Sequence, residues 1–203
     1  MFTVLLWCIA IGVNALYAAA GATAAKRYDV HANLARGVGM GVLMSATGVE
    51  LFALFIHRSA GSTATLMITF GAVAAAAAYD AASGYVFDAI TIPCLSALAV
   101  LAAAMHSFSP LLGAAAAGGC LALLYVLTRG RGLGIGDVKL ACCIGAGAGV
   151  MGGLEALGLA FVLGGVYAAY LLLSKRGHRG DELRFAPYMA AGLAIVTLHG
   201  ALR

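Results

Sequence analysis

Asp80 and Asp137 each stand at the edge of an apolar run, the first closing AVAAAAAYD and the second inside GLGIGDVKL. Two carboxylates brought together on one face are the minimum equipment for activating water without a metal. Like charges held that close share one proton, so the ionised partner deprotonates water while the protonated one polarises a carbonyl. Such a pair titrates as a unit. The chemistry it performs is peptide hydrolysis by an aspartic mechanism. A metal is not expected: Cys8, Cys94, Cys120, Cys142 and Cys143 form no C-x-x-C pair, and His31, His57, His106, His178 and His199 show no ligand spacing. No other cofactor is called for.

The two aspartates must be positioned by elements that live in lipid. Of 203 residues, 63% are hydrophobic and 10% are charged, and the mean hydropathy is +1.00. A soluble domain of that composition would expose large apolar patches, so the reading is an all-α, polytopic membrane protein. A bilayer core takes about 20 apolar residues per helix. Eight spans fit, over residues 3–25, 38–56, 64–79, 89–106, 111–127, 138–154, 156–174 and 185–199, with six as the lower bound. The boundary between the sixth and seventh is the least defined. Runs such as LLGAAAAGGC are small-residue faces that let helix backbones approach in lipid. No linker or soluble module fits between the spans, so residues 1–203 are expected to form one integral-membrane domain.

Lys and Arg set the orientation, because short basic loops stay on the cytoplasmic side. The loops after spans one, five and seven carry Lys26, Arg27 and Arg36, then Arg129, Arg131 and Lys139, then Lys175, Arg176, Arg179 and Arg184. Those after spans two, four and six hold only Arg58, and Arg203 ends the chain. Asp80 and Asp137 therefore fall on the same, cytoplasmic side. The net charge of +4 is a topology signal, which argues against a nucleic-acid partner. Lys26 and Arg27 follow the first apolar run, the reverse of a cleaved signal peptide, so that run reads as a retained helix. Among the other acids, Asp29, Asp181 and Glu182 sit in basic loops, Glu155 marks an external turn, and Glu50 lies inside the second span.

Three ordered segments carry a family resemblance. GIGDVKL, from Gly134 to Leu140, resembles the GxGD motif of the type IV prepilin peptidases, membrane aspartic proteases that remove the leader from pilins and pseudopilins. DAASGYVFDAIT, from Asp80 to Thr91, is similar to that family's first aspartate segment, and RFAPYMAAG, from Arg184 to Gly192, to the opening of a late helix. Together they span residues 80–192. The resemblance implies Asp80 and Asp137 as the catalytic pair, and a precursor with a short basic leader before a hydrophobic helix, cut at the cytoplasmic face of a bacterial or archaeal inner membrane.

Around that pair, Gly134 and Gly136 are expected to allow close backbone approach and positive φ, leaving room for an extended substrate. Asp137 is expected to cap a helix beginning at Val138, where the dipole favours negative charge, whereas Asp80 ends a helix running the other way. Asp137 is then the more ionised base and Asp80 the carrier of the shared proton. Lys139 has two readings, a topology marker or a charge that biases the pair. Tyr79 and Asp88 are supporting candidates, and Pro187 is expected to shape a helix start.

Two departures matter. Phe87 replaces the proline usual in the first segment, and Met189 a leucine in the third. Bifunctional members carry a cysteine-rich N-terminal domain associated with N-methylation of the new pilin; the loop KRYDVHANLARG has no cysteine, so methylation is not expected. A presenilin-like or signal-peptide-peptidase-like protease would share YD and GIGD but needs a P-A-L segment, for which APY is the nearest stretch. A transporter or non-enzymatic assembly protein would use the aspartates for protons or ions. Homo-oligomerisation is compatible with the sequence.

Overall fold

A computed structural model describes residues 60–175 and 183–201. The spans read at 3–25 and 38–56, with Glu50, lie outside the described residues. Within them the chain is helical, with no strand: α1 (Ala60–Ser83), α2 (Asp88–Ala104), α3 (Ser109–Leu127), α4 (Ile135–Leu173) and α5 (Ala186–Ala201). Three helices are long and apolar enough to cross a membrane, namely Gly61–Ala81 within α1, α3 and α4, and α2 is a shorter apolar helix. The fold is that of an all-helical membrane protein, and a count of eight spans is not established by these helices.

α1 is the central helix: 72% of its most apolar stretch is buried, against 22% for α3 and for α4. A polar side chain so placed must satisfy itself, and its threonines do so along the helix. Thr65 donates to the carbonyls of Gly61 and Ser62, and Thr69 to that of Thr65. One core cluster joins Met67, Ile68 and Tyr79 of α1 to Ile90 and Leu98 of α2; a second joins Val73 and Ala76 to Leu140 and Ile144 of α4 and Met189 and Leu193 of α5.

Turns follow local chemistry. α2 begins after Phe87, which is extended (φ −81°, ψ 134°). Pro110 stands in the first turn of α3, where its missing N–H costs nothing. α3 ends in a Schellman turn: Arg129 takes φ 54°, and Gly130 (φ 71°) donates its N–H to the Tyr125 carbonyl.

The sixth and seventh predicted spans require a correction. They are two helical limbs of α4, 135–148 and 150–173, that meet directly at Gly149 (φ 77°, ψ 179°), so the boundary between them lies there and not at Glu155. Backbone of that kind is open to glycine almost alone. Glu155 is therefore an exposed residue within the second limb and marks no external turn. The limbs fold back closely enough that a Cβ on Gly153 would meet Gly145 Cα at 2.8 Å.

The first limb is packed on three faces. Gly136, Lys139 and Cys143 meet Val86, Asp88 and Thr91 of the α1–α2 connection and α2. Cys142 and Gly145 lie against Gly118 and Gly113 of α3. Leu140 and Ile144 enter the core shared with α1 and α5. These pairings run α2 parallel and α3 antiparallel to the limb. They gather the end of α1, the start of α2, the start of α4 and the start of α5 at one end of the bundle.

Candidate active site

That common end holds every candidate named from the sequence. Asp80, in the last turns of α1, is 5% exposed. Its Oδ2 accepts the backbone N–H of Ala186, the first residue of α5, at 3.1 Å. Arg184, two residues earlier, donates from its guanidinium to the carbonyl of Ala81. Asp80 therefore sits at the end of α1 and also against the start of α5. The N-terminal dipole of α5 favours its negative charge and offsets the dipole of α1. The field at Asp80 is therefore set by two helix ends and not by the end of α1 alone.

Asp137 also differs from expectation. The helix starts at Ile135, with Gly134 as its N-cap (φ −78°, ψ 149°), and Asp137 lies in the first turn. Its Oδ2 accepts the Gly134 N–H at 3.1 Å, the returning half of a capping box. Each aspartate thus accepts one backbone N–H from a helix start.

Gly136 is needed for space, and neither glycine takes positive φ. Gly136 is helical, and a Cβ there would stand 2.8 Å from Val86 Cβ and 3.2 Å from its carbonyl oxygen. A Cβ on Gly134 would reach the Asp137 carboxylate at 3.3 Å. Positive φ belongs to other glycines, Gly84, Gly130 and Gly149. Gly84 closes α1, its N–H bonded to the Asp80 carbonyl at 2.8 Å.

Lys139 stands two residues beyond Asp137, so the two point to different helix faces. Its ammonium meets Asp88 Oδ1 at 2.6 Å. Neither reading from the sequence anticipated that partner. Tyr79 is buried and meets Phe87 edge-on, ring centroids 5.5 Å apart at 80°. Phe87 holds a φ close to the range a proline would impose, so the first segment keeps an extended entry to α2 without one. Pro187 occupies the second position of α5, directly after the residue bonded to Asp80. Among the described residues, no group of His, Cys, Asp or Glu is arranged to hold a metal ion.

Arg184 is the residue the sequence reading missed as part of the site. Its acceptor is a backbone carbonyl 103 positions away, for which a sequence holds no signal.

Comparison with known proteins decides the family. The model of the type IV leader peptidase family matches residues 67–169, about half of the chain. The chain belongs to the type IV leader peptidase family. A prepilin leader peptidase/N-methyltransferase from Bacillus subtilis (strain 168) is 35% identical over 109 residues, which are 54% of this chain and 44% of that protein. The match therefore spans less than half the length of that relative. No solved structure matches. The family match runs from within α1 through the second limb of α4, so it contains Asp80, the loop after it, and Asp137.

Proposed function

We propose that this protein is a membrane aspartic endopeptidase that removes the basic leader from type IV prepilin or pseudopilin-like precursors, with Asp80 and Asp137 as its catalytic pair. The observation that supports this most directly is the packing of the Asp80 loop onto the first turn of α4, with Val86 on Gly136 and Asp88 on Lys139. Two motif segments far apart in sequence thus share one end of the bundle, and membership of the leader peptidase family gives that end a substrate class. The cut is made at the cytoplasmic face of the inner membrane, where the basic-loop pattern puts both aspartates.

In this reading the ionised carboxylate of the pair takes a proton from water as the water oxygen attacks the scissile carbonyl. The protonated carboxyl donates to the carbonyl oxygen, giving a neutral gem-diol intermediate. Collapse breaks the C–N bond; the amine takes the proton that water lost, and the gem-diol returns the other to the pair. One proton again remains shared between the carboxylates, ready for the next turnover. Both backbone N–H groups that bond the pair, from Ala186 and Gly134, come from helix starts, and they hold the carboxyl groups in place between turnovers. The hydrophobic helix of the precursor lies in the bilayer beside the bundle, which leaves its leader at the aspartates.

Membranes containing the wild type are expected to convert a tagged precursor to the mature form, while Asp80→Ala and Asp137→Ala membranes with equal amounts of protein leave it unprocessed. General acid–base groups of this kind contribute about 100- to 10,000-fold each. Unchanged processing in both variants would remove the protease reading and favour ion binding by the aspartates.

A further inference from the structure

The ion pair between Lys139 and Asp88 has a place that a topology marker does not require. It joins residues 51 positions apart at 2.6 Å. Asp88 is the first residue of α2, where the helix dipole favours its negative charge. Lys139 stands one helical turn past Gly136, on the face of α4 that meets the α1–α2 loop. The side chains are 35% and 56% exposed, and a pair so open to solvent adds little to overall stability. Its geometric leverage is larger. Only seven residues separate Asp80 from Asp88, the first three still in α1 and residues 84–87 forming the loop, so a shift at its far end is passed back to α1. Val86 on Gly136 is a contact without direction; it sets a minimum approach but does not stop the loop from sliding or lifting.

We propose that the Lys139–Asp88 pair is a positioning clamp, which fixes the loop after Asp80 against the helix turn carrying Asp137 and so sets the separation of the two carboxylates. The clamp rests on the peptidase reading for its effect on turnover, but not for its effect on the loop. Neither residue is catalytic, since each is engaged with the other and Lys139 faces away from Asp137.

Two readouts test it. With purified protein and a precursor peptide, Lys139→Met and Asp88→Asn are expected to lower kcat about 10-fold with KM within about 2-fold, since misplacing reacting groups by less than 1 Å is felt mainly in the chemical step. Lys139→Arg should stay within about 3-fold of the wild type, and the exchanged double variant Lys139→Asp with Asp88→Lys should recover most of what either neutral variant loses. Independently of activity, spin labels on Tyr85→Cys and Gly132→Cys, both exposed positions, in a background with native cysteines replaced by serine, report the spacing of the two loops. The distance distribution should broaden in Lys139→Met and narrow again in the exchanged variant. Neutral variants with unchanged kcat and an unchanged distribution would overturn the clamp, as would an exchanged variant no better than the single changes in either readout. If the wild type cleaves no precursor, the peptidase reading fails, and the distance measurement still decides the clamp.

Discussion

Glycine at position 136 is a requirement of space between two backbones. A methyl group there would press on Val86, in the loop that follows Asp80. Gly136→Ala is therefore expected to lower kcat by roughly 10- to 100-fold, because displacements near 1 Å cost about that much at a reacting centre. Val86→Gly, which removes the opposing Cβ, should recover part of the loss when the two are combined; no recovery in steady-state cleavage would mean that the glycine serves another purpose. The need for glycine was legible in GIGD; of the two reasons expected, close backbone approach is the one found at Gly136, and positive φ is not. Asp80 and Asp137 were legible because ionisable groups beside membrane helices are costly and few. Arg184 and the partner of Lys139 were not. Basic residues near loops satisfy the topology rule without any partner, and only the folded chain brings Ala81 and Asp88 to them.

Among the helices, α4 is the one whose form the sequence hid. The stretch GAGAGVMGGLEALG has nearly uniform apolarity, so Glu155 drew the boundary as the only charge in it, whereas the break lies at Gly149. Side-chain hydropathy carries no record of a backbone angle. Gly149→Ala should lose about 1–3 kcal/mol of stability through strained φ/ψ, read as a lower midpoint of denaturation in detergent; an unchanged midpoint would contradict the break. α5 is held by a second close approach, where a Cβ on Gly192 would run into the carbonyl of Ala156 in the second limb. Gly192→Val is expected to push α5 outward and with it the Ala186 N–H that bonds Asp80. Cleavage should fall more steeply than the melting temperature, and an equal loss of folded protein and activity would show that α5 contributes stability alone.

On the scale of the whole molecule, the described tyrosines collect at the end that holds the aspartates. Tyr167 lies 5.9 Å from Tyr188 and 6.4 Å from Tyr170 between ring centroids. Tyr79 and Tyr85 flank the first aspartate, and Tyr125, near the end of α3, packs against Gly130 of the turn that follows. Tyrosine favours the membrane–water boundary, which agrees with a site at a membrane edge. Gly164 in the second limb of α4 packs on Phe185 and Tyr188, near the level of Ala186. The limb then runs on to Leu173, roughly 13 Å at ~1.5 Å per residue, leaving the carboxylates below its outer end. A Tyr85→Cys variant should react with a membrane-impermeant maleimide in inside-out vesicles and stay unlabelled in intact cells; the opposite pattern would reverse the orientation. The helical class and the position of the aspartates at span ends followed from hydropathy and charge, whereas the gathering of those helix ends depended on packing of glycines across helices that no periodicity reveals.

In the proposed mechanism two particular carboxylates, and no others nearby, carry out the hydrolysis. Its most direct test is single-turnover cleavage of a precursor peptide by purified wild type, Asp80→Asn, Asp137→Asn and Asp88→Asn, with folding checked in each. No cleavage above background is expected from the first two variants, and a reduced but measurable rate, down about 10-fold, from the third. Retention of wild-type cleavage by Asp80→Asn or by Asp137→Asn would contradict it.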